Sequence, residues 1–413
     1  MTAHGNARSV AVLASAVAVA FVLAGCSRGP ESSPIAFPGA PGSAQPRLTS
    51  DLDGTPVLSW LEPDGRERVL EYARVDASGV GPSREIVRSE RMFVNWADFP
   101  SVTPATDMLW FAHWLRRRPD SGAYDVATAI STDGGASWSD AEQMNEDDAE
   151  AEHGFVSAFS WNGGIAAFWL DGRELANWSF DDPDQLLGTS LRLARYDATG
   201  AAAGREIVDD MVCDCCAPDV AITAAGPVVA YRDRTEAEIR DIAVRRFVDG
   251  AWSEPVGVGN EGWFIEGCPV NGPAIAARGE DVAVVWFTAA EGLGRVRYAR
   301  SGDGGASFAA AIDVDGGGAY GQPGIVLDRD GRAVLSWWRR AEAGGIELRV
   351  RAYDPDGEAV AELTVAHESV GQPVDVPQLV ASGDGYLIAW TTFDDNGDGD
   401  TGDVAVRLAS LNL

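Results

Sequence analysis

Seven short apolar segments ending in aromatic residues recur along this chain, and they limit its possible folds more than any other feature. They read Val57-Leu58-Ser59-Trp60, Leu109-Trp110-Phe111-Ala112-His113-Trp114, Ala166-Ala167-Phe168-Trp169, Val228-Val229-Ala230-Tyr231, Ala283-Val284-Val285-Trp286, Val334-Leu335-Ser336-Trp337 and Leu387-Ile388-Ala389-Trp390. Successive copies lie about 50–60 residues apart, the range of β-propeller blades with loops. Each copy follows an apolar strand and a turn, and precedes a hairpin and a third strand. The expectation is therefore an all-β chain, a propeller of seven four-stranded antiparallel blades. Six blades is the alternative, since seven requires the C-terminal unit to count as a full blade. That unit lacks an evident fourth strand, and Pro34-Ile35-Ala36-Phe37 is available to supply it and close the ring. A repeat that runs through without a linker argues against two separate β-sandwiches. The 14 Trp and 47 Gly suit many strands joined by tight turns.

The N-terminus carries Arg8 in a polar lead and an apolar run from Val10 to Ala24. The run is short for a bilayer span and fits the core of a secretory signal. It ends in Leu23-Ala24-Gly25-Cys26, which resembles a bacterial lipobox. Small residues there admit the peptidase, and the thiol of Cys26 takes the lipid. Residues 1–25 are expected to be a lipoprotein signal peptide, 26–45 a Pro/Gly/Ser-rich flexible tether and 46–413 the propeller. Ser27 rather than Asp after the lipidated position favours the outer membrane, in a cell that has one. A net charge of −31 excludes nucleic acid and anionic membrane surfaces as partners. Membrane contact is then through the lipid alone, and the expected place is the bacterial cell envelope.

Two hairpins carry a second signature. Ser131-Thr132-Asp133-Gly134-Gly135-Ala136-Ser137-Trp138 fits S-x-D-x-G-x-x-W, and Ser301-Gly302-Asp303-Gly304-Gly305-Ala306-Ser307-Phe308 fits it with Phe in the last place. Asp133 and Asp303 are expected to cap turn N–H groups, Gly135 to allow positive φ, and Trp138 and Phe308 to pack beneath the turn. With these boxes the chain resembles the sialidase-like, Asp-box (BNR repeat) propellers over roughly residues 46–413. The boxes themselves, Ser131 included, are structural.

That resemblance implies an exo-glycosidase acting on extracytoplasmic glycans. Sialidases hold a substrate carboxylate with three arginines, since each guanidinium can make two parallel hydrogen bonds. They cleave with a Tyr nucleophile, a Glu partner and an Asp acid. By loop position the implied clamp is Arg173, Arg232 and Arg240, and the implied acid is Asp98. Tyr320 is the implied nucleophile, with Glu152 or Glu266 beside it. His113 and Trp263 stand in the same loops as candidate substrate contacts. The Phe/Tyr-Arg-Ile-Pro motif that supplies the first sialidase arginine is absent, and Gln45-Pro46-Arg47-Leu48 is the nearest segment. The arginines read equally as ion pairs that brace hairpins, with His113 as a packing group.

Propeller topology sends the blade-joining loops to one face near the axis, and four cysteines fall in two successive loops of that set: Cys213, Cys215 and Cys216, then Cys268. In an oxidising compartment disulfides are the first expectation. A Cys213–Cys215 bond would close a tight ring and a Cys215–Cys216 bond would be vicinal; each leaves a pair that includes Cys268. One disulfide beside a reactive pair is also open. The sharper reading is a thiolate metal site, with His153 as a further ligand, for Cu(I) or Zn(II). A non-catalytic propeller that binds a glycan, a metal or a protein is thus the alternative to a glycosidase. Asp394, Asn396, Asp398 and Asp400 resemble half a calcium loop, but Ala405 stands where its closing Glu belongs.

Overall fold

The computed structural model describes residues 1–2, 29–119, 121–177, 187–369, 375–393 and 404–413. The apolar signal run, Cys26 and the Asp394–Asp400 cluster lie outside the described residues.

The repeats are the second strands of seven antiparallel sheets. These strands are Pro56–Asp64, Trp110–Arg117, Gly164–Asp171, Pro227–Arg232, Asp281–Thr288, Ala333–Arg340 and Gly385–Phe393, and we number the blades 1 to 7 in that order. Their aromatics explain the stacking. Trp60, Trp110, Trp169, Tyr231, Trp286 and Trp337 are fully buried. They do not fill seven separate cores. Each apolar cluster instead joins neighbouring blades, as Trp60 with Leu387 and Leu408 between blades 1 and 7, and Trp337 with Val285 and Tyr298 between blades 6 and 5. A blade alone would expose both faces, so the ring is the smallest arrangement that buries them. Full burial of a large apolar side chain contributes about 1.5–3 kcal/mol.

The ring closes through the N-terminus. Glu31–Ile35 pairs antiparallel with Val404–Asn412 as the outer strand of blade 7. The expected Pro34–Phe37 segment thus supplies the closure, with the strand set three residues earlier. Phe37 follows it and meets the Trp60 ring edge-on, with centroids 5.2 Å apart. This corrects the tether boundary, because residues 31–45 hold that outer strand and the start of blade 1 at Ala44–Ser50.

Both Asp-box turns form as expected. The Asp133 carboxylate accepts from the Ser137 N–H at 2.8 Å and the Ser137 hydroxyl at 2.6 Å, and Ser131 Oγ accepts from the Gly135 N–H at 2.8 Å. The same bonds recur at Asp303, Ser307, Ser301 and Gly305. Hydrogen bonds from Ser137 hold the Asp133 carboxyl down at about 2. Gly135 has φ +85°, and a Cβ there would strike the Tyr72 hydroxyl. Trp138 packs edge-on against Tyr72, and Phe308 packs against the core between blades 4 and 5.

Candidate functional site

The first strands surround an axial cavity of about 440 Å³, and its wall draws on nearly every blade. Arg47, Asp98, Phe155, Cys215, Asp219 and Gln322 all line it. Where the chain enters this wall the backbone turns sharply. Gln45, Phe155, Val270 and Gln322 each adopt positive φ near +50°, which is costly for Val270 because its Cβ is branched. Arg47, left out of the expected clamp, faces the Asp219 carboxylate across the axis. Burial lowers the Arg47 guanidinium and raises the Asp219 carboxyl, and their mutual attraction opposes both shifts.

The three expected clamp arginines do not converge. Arg173 is an ion-pair brace: Nη2 lies 2.5 Å from Asp171 and 3.0 Å from Asp147. Arg232 is fully buried and spends its donors on backbone carbonyls, those of Asn271, Arg240 and Phe287, at 2.7–3.0 Å. Its guanidinium lies 4.9 Å over the Trp263 ring, so Trp263 is a packing platform and not a substrate contact. Among the described residues no carboxylate comes within ion-pair reach of Arg232. Arg240 pairs with Glu238 at 2.8 Å and turns Nη1 toward Asp214 and the Cys213 sulfur, at 3.3 and 3.5 Å.

The other implied residues also separate. Tyr320 packs with the core between blades 6 and 7, with the Arg340 guanidinium over its ring, while Glu152 lies at the mouth of blade 3 and Glu266 on the exposed cysteine loop. His113 is a packing group. Its Nε2 meets the Phe99 carbonyl at 3.0 Å, and burial lowers its ring to about 3 against that bond. His153 does not join the cysteines. Its Nδ1 donates to the Tyr124 carbonyl at 3.2 Å, and Nε2 faces Asp147 and Asp171 at 3.3 and 3.5 Å.

Asp98 is the implied catalytic residue whose environment is most perturbed. It is 1% exposed, its oxygens are sealed, and its carboxyl lies against the Gly154 backbone where no Cβ would fit. Burial raises it to about 7; the Phe155 N–H, too poorly aligned for a full hydrogen bond, opposes this, and Glu152 adds to it. Nearby, the Tyr124 hydroxyl donates to Glu152 at 3.4 Å. Burial first, then Asp98 and Glu152, push the Tyr124 phenol far above its usual range. In the sequence Tyr124 reads as a core residue, because it opens an ordinary apolar strand, Tyr124–Ser131. Tyr124 and Glu152 line a smaller pocket of about 240 Å³, whose charged residues Glu150, Glu152 and Asp214 are all acidic.

The cysteines do converge. Cys215 and Cys268 form a disulfide, while Cys213 and Cys216 are free thiols, both buried. The Sγ atoms of Cys213 and Cys216 are 3.1 Å apart, and Cys268 Sγ lies 3.6 Å from the first and 4.0 Å from the second. The hydrogen bond with Cys216 pulls the Cys213 thiol down to about 6 against burial, helped by Arg240 and Arg232. Burial and the Cys213 sulfur drive Cys216 the other way. Asn271 ties the loops together. Its N–H donates to Cys216 Sγ at 3.4 Å, its carbonyl holds Arg232, and its side chain bridges the Tyr320 carbonyl and the Gln322 N–H. No signal beyond its nearness to Cys268 marked Asn271 in the sequence.

No family model and no curated protein matches the sequence. Solved structures with similar folds include a Hadza microbial sialidase, at 12% identity and TM-score 0.44, covering 72% of this chain and 63% of that one. NanB sialidase from Streptococcus pneumoniae is similar at 8% identity and TM-score 0.47, covering 94% and 95%. The α-L-arabinofuranosidase Arb93A from Fusarium graminearum is similar at 12% identity and TM-score 0.48, covering 89% and 92%. The chain thus spans less than two thirds of the first of these proteins. Likeness at this distance assigns no family, and the blades described above define this chain as a seven-bladed β-propeller.

Proposed function

We propose that the protein is an exported, lipid-anchored sialidase-like propeller whose chemical centre is the sulfur cluster on the channel wall, and that this centre performs thiol–disulfide exchange. The observation that carries the proposal is a buried thiol, Cys213, with its sulfur 3.6 Å from one sulfur of a disulfide whose other half, Cys215, lines the axial cavity. Attack of the Cys213 thiolate on Cys268 Sγ forms a Cys213–Cys268 bond and breaks Cys215–Cys268. Cys215 leaves as the thiolate and takes its proton from water in the channel, with no net oxidation. The exchange moves the reactive thiol from the interior to the cavity. There it can attack a disulfide of an incoming ligand, forming a Cys215–ligand mixed disulfide and releasing the ligand's other sulfur as a thiolate.

The test is alkylation of the unreduced protein with a small neutral haloacetamide, followed by peptide mapping. The expected label is on Cys215, although Cys215 is half of the resting disulfide, and Cys213→Ser abolishes it. Label confined to Cys213 and Cys216, or Cys215 labelling that survives Cys213→Ser, contradicts the proposal.

A second reading, glycoside hydrolysis, is favoured by one observation: Asp98, Tyr124 and Glu152 lie within electrostatic reach of one another beside a pocket. In this reading Asp98 is the acid and Tyr124, with Glu152, replaces Tyr320. The acidic wall and the dispersed arginines favour a neutral sugar over an anionic one. Turnover of neutral aryl glycosides that is lost in Asp98→Asn supports it; activity on a sialoside alone, or none on either, rules it out.

A further inference from the structure

The sulfur triangle has a second use that depends on the disulfide. We propose that reduction of Cys215–Cys268 converts the cluster into a thiolate site for one metal ion of the Cu(I) or Zn(II) class, and that the closed disulfide keeps the site empty. The inference rests on the cysteine loops being redox-active, but not on any exchange with a ligand.

The dimensions support it. A thiolate–zinc bond is about 2.3 Å, so sulfurs sharing one ion stand roughly 3.7–4.0 Å apart in tetrahedral or trigonal arrangements. Cys213, Cys216 and Cys268 already form a triangle with sides of 3.1, 3.6 and 4.0 Å. Those three sulfurs are a compact ligand set on their own, and Cys215, bonded to Cys268, sits within reach as a fourth. The arrangement is incomplete while the disulfide stands. A disulfide sulfur is a poor donor beside a thiolate, which leaves only Cys213 and Cys216. At 3.1 Å those two can flank an ion only at a sharply bent angle. Reduction by a dithiol adds two electrons and two protons, and supplies the missing ligands.

Charge and hydrogen bonding point the same way. Three or four thiolates around a monovalent or divalent ion carry net negative charge, which burial penalises unless it is balanced. Arg240 Nη1 faces Cys213 Sγ at 3.5 Å, and Arg232 is the neighbouring buried cation with carbonyl partners only. The Asn271 N–H on Cys216 Sγ, at 3.4 Å, is the kind of outer contact that orients a thiolate ligand. The other candidate cluster, Asp147, His153 and Asp171, has none of this logic, since the Arg173 cation already sits between its two carboxylates.

The experiment is an anaerobic Co(II) titration of the full mature chain, read as thiolate-to-cobalt charge-transfer absorption. Unreduced protein is expected to show no such band. Protein reduced with a phosphine, and then freed of it, is expected to bind one equivalent. Cys215→Ser, which frees Cys268, is expected to bind one equivalent without reductant, and reduced Cys216→Ser to lose the band. X-ray absorption on the reduced, zinc-loaded wild type needs no variant, and should give three or four sulfurs at about 2.3 Å. The proposal is overturned if unreduced protein binds as well as reduced, or if reduced protein gives no sulfur-bound ion. Cys215 alkylation can succeed while this fails, or the reverse, so the two readings stand or fall separately.

Discussion

Blades 3 and 4 place an arginine at or just past the end of their second strands, and the molecule uses the two in opposite ways. Arg173 meets Asp171 and Asp147, so its charge is neutralised where it stands. Arg232 meets only carbonyls, with Trp263 beneath it. A cation buried without a counter-ion is expensive unless something anionic shares its surroundings. What lies there is sulfur, since Arg232 helps lower the Cys213 thiol. Blade 3 therefore holds a closed ionic brace, while the loops between blades 3 and 5 keep positive potential available to thiolates. An arginine count does not distinguish these roles; the partners do.

Replacing the two arginines is the strongest test of that contrast. Arg232→Leu strips the carbonyls of Asn271, Arg240 and Phe287 of their donor and is expected to cost about 3–5 kcal/mol in denaturant unfolding, more than Arg173→Leu. Equal losses would erase the distinction.

Asp98 comes next. Its folded-state value, about 7, is above its unfolded one, so the folded chain keeps a proton the unfolded chain has lost. Stability attributable to this group therefore falls as pH rises from about 4 to about 7. Between those limits Asp98→Asn should gain on wild type by on the order of 3–4 kcal/mol. A constant difference across that window would show that the carboxyl ionises normally and is not sealed.

Cys215→Ser opens a bridge across a separation of 53 residues and should cost about 2–4 kcal/mol, whereas Cys216→Ser should cost less. The reverse order would mean that Cys216 is in the structural bond. The smallest effect is expected at the exposed Asp133, where replacement by Ala removes the acceptor for Ser137 and should lower the unfolding midpoint less than any change above, leaving the cysteine chemistry untouched.

The fold was legible because its signals are local. Second-strand aromatics, the Asp-box spacing and the closing segment near Pro34 all express periodicity or turn chemistry within a few residues. The convergence of the cysteines was legible too, once the blades were counted, because successive blade-joining loops must meet. The clamp could not be read the same way. Whether Arg232 faces a ligand or the carbonyls of residues 39 and 55 positions along the chain is a tertiary matter. The blade-joining loop position of His153 points it toward sulfur, yet Asp147 and Asp171 flank its Nε2. Tyr124 was hidden by its strand, where an aromatic reads as core.

Disulfide mapping of the protein, isolated without reductant and with free thiols blocked at low pH, tests the central claim most directly. The account predicts a single Cys215–Cys268 crosslink, with Cys213 and Cys216 both recovered blocked. Two crosslinks, or a single bond within residues 213–216, would leave no buried thiol facing a channel-side disulfide and would contradict it.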